Sequence, residues 1–127
     1  MTSLCIAVAA AVVAILPADR LTVSWLHSVE RVTWEEDWRA LPGGLALIEA
    51  RVKGSGAGME PGAAAVLENG SWRYRPDLPP QARLVLARST FTDDYTLCWN
   101  DRCERLDGLI PSAAPAAPAE IYPCPPG

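Results

Sequence analysis

The amino-acid sequence predicts an all-β fold, a small antiparallel β-sandwich or partly open barrel of about six or seven strands. No stretch of the chain sustains the 3.6-residue apolar repeat of an amphipathic helix. Instead, short runs rich in β-branched and aromatic residues alternate with segments of turn residues. The pair Asn69-Gly70 lies between two such runs, and Asn-Gly accepts the positive φ values of a tight hairpin turn.

The first half of the middle region predicts three strands. Residues 21–27 alternate apolar with polar side chains, the pattern of a strand buried on one face. A second strand over 32–41 ends at a Pro-Gly-Gly loop, and a third strand follows over 45–53. A helix over 29–38 is the competing interpretation, because two tryptophans of that segment lie four residues apart.

The second half predicts two hairpins and one further strand. A two-residue turn at Asn69-Gly70 would place Leu67 opposite Trp72 and Ala65 opposite Tyr74, all facing the core. The remaining strands are expected over 84–86, 95–99 and 102–106.

The two ends of the chain differ in composition from the middle. Residues 4–16 are uninterruptedly apolar, but the run is shorter than the roughly 20 residues of a membrane-spanning helix. Residues 1–18 are therefore interpreted as a signal peptide or short N-terminal anchor, with a buried strand or helix as the alternative. Residues 111–127 hold six of the twelve prolines and predict a flexible Pro/Ala-rich tail. A single β domain over 19–110 remains.

The cysteines indicate an oxidising compartment. Cys98 and Cys103 have C-x4-C spacing, and a four-residue hairpin loop between them would bring the two side chains within disulfide reach. Such a disulfide agrees with a periplasmic or other extracytoplasmic location. Loss of a signal segment would remove Cys5 and leave Cys124 as an odd thiol, free or paired with another chain.

The charge balance argues against polyanionic partners. The chain of 127 residues carries a net charge of −4 and a single lysine, Lys53. It has no basic stripe that would neutralise phosphates, so neither nucleic acid nor an anionic membrane surface is an expected partner. Membrane contact is expected only through the N-terminal segment, if that segment is not cleaved.

Carboxylates interleaved with tryptophans are the most suggestive pattern for a site. On a strand, Glu30, Trp34 and Glu36 would share one face, and acid together with indole suits a cation. The alternative is that the tryptophans belong to the core and the acids pair with arginines such as Arg51. The candidate ligand-binding residues are His27, Ser28, Glu30, Trp34, Glu36, Arg51, Gly56, Gly58, Met59 and Glu60.

Catalytic patterns are weaker. His27 and Ser28 are neighbours, and neighbours on a strand point to opposite faces, while Ser55 lacks the G-x-S-x-G elbow of hydrolases. The glycines of 54–58 do not form a phosphate loop, because no Lys and Ser/Thr pair follows them. One histidine and one cysteine pair fall short of a zinc site. The sequence therefore assigns no catalytic residue, metal or cofactor, and it favours a non-enzymatic protein.

Several of these segments resemble a bacterial family of domains of unknown function, number 1850. The similarity spans about residues 21–107. The residues that carry it are Trp25, His27-Ser28-Val29-Glu30, Trp34-Glu35-Glu36, Glu49-Ala50-Arg51, the run Gly54-Ser55-Gly56-Ala57-Gly58-Met59-Glu60, Tyr95, Cys98 and Cys103.

The resemblance implies a small exported protein, often encoded beside the permease and solute-binding receptor of tripartite (TRAP) transporters of the TAXI class. A non-enzymatic accessory role in such an uptake system is the first expectation, with the TAXI-type receptor or TRAP permease as partner. A small-ligand or metal-binding module that uses the HSVE and GAGME carboxylates is the alternative. A hydrolase with His27 is the second alternative.

Overall fold

The computed structural model describes residues 2–26, 32–53, 66–68, 71–88 and 94–125. Within these ranges the chain forms eleven strands and one short helix. In chain order the elements are β1 (Leu4–Val8), β2 (Ala11–Leu16), β3 (Arg20–Leu26), β4 (Thr33–Leu41), β5 (Gly44–Lys53), β6 (Val66–Glu68), β7 (Ser71–Tyr74), β8 (Leu84–Leu86), β9 (Thr96–Trp99), β10 (Arg102–Arg105), α1 (Leu106–Leu109) and β11 (Ala119–Pro123).

The strands form two antiparallel sheets. The larger sheet has the order β10-β9-β3-β4-β5-β7-β6, and the smaller has the order β2-β1-β11-β8. Buried side chains of both sheets belong to one hydrophobic cluster, so the sheets are the two layers of a sandwich. The predicted all-β sandwich is confirmed. The described residues hold more strands than the six or seven expected, because the two chain ends contribute β1, β2 and β11.

The centre of the larger sheet is β4, which pairs with β3 on one side and β5 on the other. All three strands predicted for residues 21–53 are present. The competing helix over 29–38 is wrong for the part that is described, because 33–41 is a strand with partners on both edges. Cross-strand pairing of alternate residues determines this structure, and the four-residue spacing of the tryptophans is incidental.

Both predicted hairpins agree with the described pairing. Leu67 lies opposite Trp72 as expected, while Ala65, Asn69 and Gly70 lie outside the described residues. Cys98 lies opposite Cys103, and the two form the predicted disulfide. The loop between them is tighter than predicted. Its two residues, Asn100 and Asp101, have φ values of 49° and 62°, which is the backbone of a two-residue hairpin turn.

The N-terminal residues are part of the fold. All five residues of β1 are at most 4% exposed, and β1 is hydrogen-bonded to β2 and β11. Leu4, Ile6 and Val8 belong to the core cluster, whereas Cys5 and Ala7 are buried on the other face. A strand buried on both faces reads as an unbroken apolar run, which is also the signature of a signal peptide. The strands β1 and β2 agree with the buried strand that was the alternative for this segment, and a signal peptide or short anchor over residues 1–18 stays a prediction.

The C-terminal residues are also part of the fold. Ala119 and Ile121 of β11 are fully buried between β1 and β8. The proline-rich stretch before β11 is held by Arg88, whose guanidinium donates to the backbone oxygens of Pro115 and Ala117. The predicted flexible tail over 111–127 is therefore wrong for residues 111–123. The prolines occupy the approach to β11 and its last position, where no ladder donor is needed.

A second disulfide joins the two ends of the chain. Cys5 of β1 bonds to Cys124, and the bond closes a loop with a sequence separation of 119 residues. In the full chain Cys124 is thus paired, whereas an odd thiol was expected only on loss of the N-terminal segment that contains Cys5. Two disulfides indicate an oxidising, extracytoplasmic environment. No helix in the described part of the chain is both long and apolar enough to span a membrane.

Candidate functional site

The two faces of β4 have opposite characters. Side chains alternate between the faces of a strand, and residues paired across neighbouring strands share a face. Trp38 lies opposite Leu21, and Glu36 lies opposite Val23, and both of these partners are buried in the core. The inward-facing residues of β4 are therefore Trp34, Glu36 and Trp38, while Glu35, Asp37 and Arg39 face outward.

Glu36 lies where the apolar core ends. Its neighbours across the sheet are Val23 on β3, at 0% exposure, and Ala50 on β5, at 1%. The indole Nε1 of Trp38 donates a hydrogen bond of 3.3 Å to Oε1 of Glu36. A carboxylate on the inner face of a sandwich is costly unless it is well partnered, and this hydrogen bond comes from a neutral donor. Glu36 is thus a candidate for a role other than packing.

Aromatic side chains continue the inner face beyond Glu36. The rings of Trp25 and Trp34 are stacked with centroids 6.3 Å apart, and the ring of Tyr95 is tilted against Trp25 at 5.7 Å. Residues paired across neighbouring strands extend this surface. Trp34 pairs with Val52, which pairs with Trp72, and Glu36 pairs with Ala50, which pairs with Tyr74. We call this surface the aromatic face; its members are Trp25, Trp34, Glu36, Trp72, Tyr74 and Tyr95.

The titrating groups of the aromatic face influence one another. Burial raises the pKa of the Glu36 carboxyl, and the hydrogen bond from Trp38 opposes that rise only in part. Burial also raises the pKa of the Tyr74 and Tyr95 phenols, and the negative charge of Glu36 raises both further. The tyrosines therefore stay neutral and serve as hydrogen-bonding groups. Glu36 carries the negative charge of the described aromatic face.

Trp34 carries an unused donor. Its Nε1 atom is buried and has no hydrogen-bond partner among the described atoms. A buried indole N–H usually finds a partner, so the unmade hydrogen bond is a cost to the folded state.

The outer face of the same strands carries a separate charged cluster around Arg51, which we call the arginine cluster. The Arg51 guanidinium donates to Asp37 at 2.7 Å and 2.8 Å, to Glu49 at 2.6 Å and to Glu35 at 3.2 Å. These contacts raise the pKa of Arg51 and, with Thr22 Oγ1 as a further donor, lower the pKa of Asp37. Arg51 is thus on the face opposite to Glu36.

The arginine cluster predicts a clear mutational contrast. Arg51→Met should lower the free energy of unfolding by about 1–3 kcal/mol, because three partly buried acids lose their shared donor. Arg102→Met, which removes the exposed pair with Glu104 and a contact with the Trp99 ring, should change it by less than about 1 kcal/mol. Urea unfolding at neutral pH measures both. Equal effects for the two variants would contradict a structural role for the cluster.

Glu36 predicts a pH dependence of stability. Its raised pKa means that the folded state holds this proton at higher pH than the unfolded chain does. The free energy of unfolding therefore falls as pH rises from the ordinary glutamate pKa through the raised value, and the ionised side chain destabilises the fold above it. Glu36→Gln, which retains an acceptor for Trp38, should be more stable than wild type at neutral pH and should lack this slope.

The lowered pKa of Asp37 makes the free energy of unfolding rise with pH, the opposite of the Glu36 effect. The difference in the free energy of unfolding between wild type and Glu36→Gln isolates the Glu36 titration, because Asp37 is present in both. Among the described residues, the groups that face Glu36 are Trp38, Val23, Ala50, Tyr74 and Tyr95, and of these the tyrosines titrate, at alkaline pH. Urea midpoints across the acidic and neutral range provide the measurement. A variant less stable than wild type at neutral pH would show that the charged form is well compensated.

Seven of the ten sequence-predicted site residues lie outside the described residues. These are His27, Ser28, Glu30, Gly56, Gly58, Met59 and Glu60. The described strand ends that border them are neighbours, because Leu26 of β3 pairs with Thr33 of β4, which pairs with Lys53 of β5. Of the three described candidates, Trp34 and Glu36 share the aromatic face, whereas Arg51 belongs to the arginine cluster.

Four members of the aromatic face were not among the sequence-predicted site residues: Trp25, Trp72, Tyr74 and Tyr95. The pairing of β5 with β7, which follows β6 in the chain, places Tyr74 in the cross-strand row of Glu36 and Trp72 in that of Trp34. The equal parity of Trp72 and Tyr74 was visible in the sequence, but their partner strand was not. Within the described ranges, no group of three or more His, Cys, Asp and Glu side chains is placed to hold a metal ion.

An open cavity of about 390 Å³ lies elsewhere, at the Asn100 turn, and is lined by Asp19, Arg20 and Thr22 among others. None of the sequence-predicted site residues lines it.

Fold and site together define a disulfide-bonded all-β domain with an acidic aromatic surface at one end of its core. The model of the domain of unknown function (DUF1850) matches residues 21–106, and the chain belongs to this family. No curated protein and no solved structure matches the chain. The predicted family membership is confirmed. The matched range contains the aromatic face and the arginine cluster, whereas β1, β2 and β11 lie outside it.

Proposed function

We propose that this protein is an extracytoplasmic, non-enzymatic binding domain that holds a small ligand on the aromatic face. The observation that carries the proposal is the position of Glu36, an inward carboxylate at the end of the core with tryptophan and tyrosine rings next to it. Ligand sites commonly combine aromatic walls with a few polar groups.

The proposed setting is a TAXI-type TRAP uptake system, with its solute receptor or permease as the partner. This part of the proposal rests on the resemblance to exported proteins encoded beside such transporters, together with the oxidising environment that two disulfides indicate. A domain that binds solute outside the cytoplasm would increase the local supply of that solute to the receptor.

Co-purification and uptake test this proposal. The full chain should co-purify with the neighbouring receptor or permease. A strain that lacks the gene should take up the solute more slowly, and wild type should restore the rate, whereas Trp34→Ala should not. Ile15→Ala, a change at an exposed position on the smaller sheet, should restore uptake like wild type. Absence of any association, with uptake unchanged in the deletion strain, would contradict the accessory role.

The metal-binding and hydrolase alternatives depend on His27, Ser28, Glu30 and Glu60, which lie outside the described residues. Both alternatives stay predictions.

A further inference from the structure

The charges around the aromatic face differ by side of the sheet. On the outer face, Asp37, Glu49 and Glu35 each form an ion pair with Arg51. Arg73 lies opposite Arg51 in the register and therefore belongs to that same outer side. On the inner side, the hydrogen-bond partner found for Glu36 among the described residues is the neutral indole of Trp38. Among the described residues of the central strands, the arginines therefore lie on the outer face, and none of them is beside the negative charge of Glu36 on the inner face.

Because Glu36 is partly buried, its negative charge limits which ligands the aromatic face can bind. A desolvated carboxylate next to fully buried Val23 and Ala50 gains most from a positive partner, because the local dielectric is low. An anionic ligand would meet repulsion at Glu36, and a neutral ligand would leave the charge uncompensated. The electrostatics of this face therefore select for a cation.

The rings next to Glu36 favour an organic cation over a bare ion. Trp34 and Glu36 are two residues apart on one face of β4, a separation of about 7 Å along the strand. The π-faces of tryptophan and tyrosine attract ammonium groups, and this attraction is stronger in a desolvated site. Carbon substituents on the cation would add apolar contact with the same rings. A small hydrated metal ion would gain little from them.

We infer that the ligand is a small organic cation, an amine or quaternary ammonium, held between the Glu36 carboxylate and the rings of Trp25, Trp34 and Tyr95. This inference rests on the proposed binding function and specifies its ligand class.

Three probes of nearly equal shape and different charge test the inference on the full disulfide-bonded chain: tetramethylammonium, tert-butanol and pivalate. Tryptophan fluorescence follows binding at constant ionic strength. Tetramethylammonium should give a saturable change, and the two other probes should not. Glu36→Gln should weaken tetramethylammonium binding by roughly tenfold or more. Glu35→Gln, the same substitution one residue away on the outer face, should bind like wild type.

The possible outcomes separate the ligand class from the binding function. Binding of tert-butanol or pivalate as tight as that of tetramethylammonium, lost in Trp34→Ala, would overturn the cation and leave a binding site on the aromatic face. Unchanged tetramethylammonium affinity in Glu36→Gln would likewise overturn the cation. Failure of all three probes would overturn the inference, while co-purification and uptake still decide the accessory role.

Discussion

Replacement of Ile6 by alanine is expected to lower the free energy of unfolding by about 2–5 kcal/mol. Ile6 is fully buried in the core cluster, opposite Ala14 of β2 and Ile121 of β11. The shorter side chain would leave a cavity between the two sheets. Because small domains have unfolding free energies of only about 5–15 kcal/mol, this single change removes a large share of the total.

Ile15 provides the matched control. It belongs to β2, next to β1 in the same sheet, but its side chain is 61% exposed. Ile15→Ala should change the free energy of unfolding by less than about 1 kcal/mol. Urea denaturation of the full chain measures both variants. If residues 1–18 lay outside the fold, both changes would be neutral, and that outcome would contradict the packing of β1.

Loss of the Cys5–Cys124 disulfide is expected to have the second large effect. In the chain-entropy model a bond that closes a loop of this length stabilises by about 4–5 kcal/mol, against about 2 kcal/mol for a separation of five residues. The double variant Cys5→Ala with Cys124→Ala should therefore be less stable than Cys98→Ala with Cys103→Ala. Urea midpoints without reductant give the order.

The same measurement under reducing conditions connects stability with location. Wild type with reductant should be less stable than either double variant without it, because it lacks both bonds. A reversed order of the two double variants would show that residual structure or pairing of β1 with β11 already holds the chain ends together in the unfolded ensemble. Dependence on both bonds would explain why an oxidising environment suits this protein.

The middle of the fold was predictable from the sequence because its signals are local. Alternation in 21–27, the Asn69-Gly70 turn and the cysteine spacing each depend on residues close in the chain, and each corresponds to a described strand or hairpin. The chain ends were not predictable in this way. β1 needs β11 to be buried, and these strands are more than 110 residues apart, so neither segment alone reveals its partner.

The site was predictable only in part for the same reason. Trp34 and Glu36 share a strand, so their common face followed from parity. Tyr74 belongs to β7, and Tyr95 directly precedes β9. They come near Glu36 because of strand pairing and tertiary packing, which the alternation of residues within β4 cannot predict. Arg51 was grouped with Glu36 by charge. In the β4–β5 register, however, Arg51 pairs with Glu35, the neighbour of Glu36 in the chain, so Arg51 and Glu36 lie on opposite faces of the sheet.

The central claim is that a small cation binds on the aromatic face. The most direct measurement follows the indole N–H resonances of the five tryptophans by NMR while tetramethylammonium is added to the full chain. The resonances of Trp25 and Trp34 should shift and saturate together. That of Trp99, which is buried in the core cluster, should stay in place. A Trp99 shift as large as that of Trp34, or no saturable shift at Trp25 and Trp34, would contradict the account.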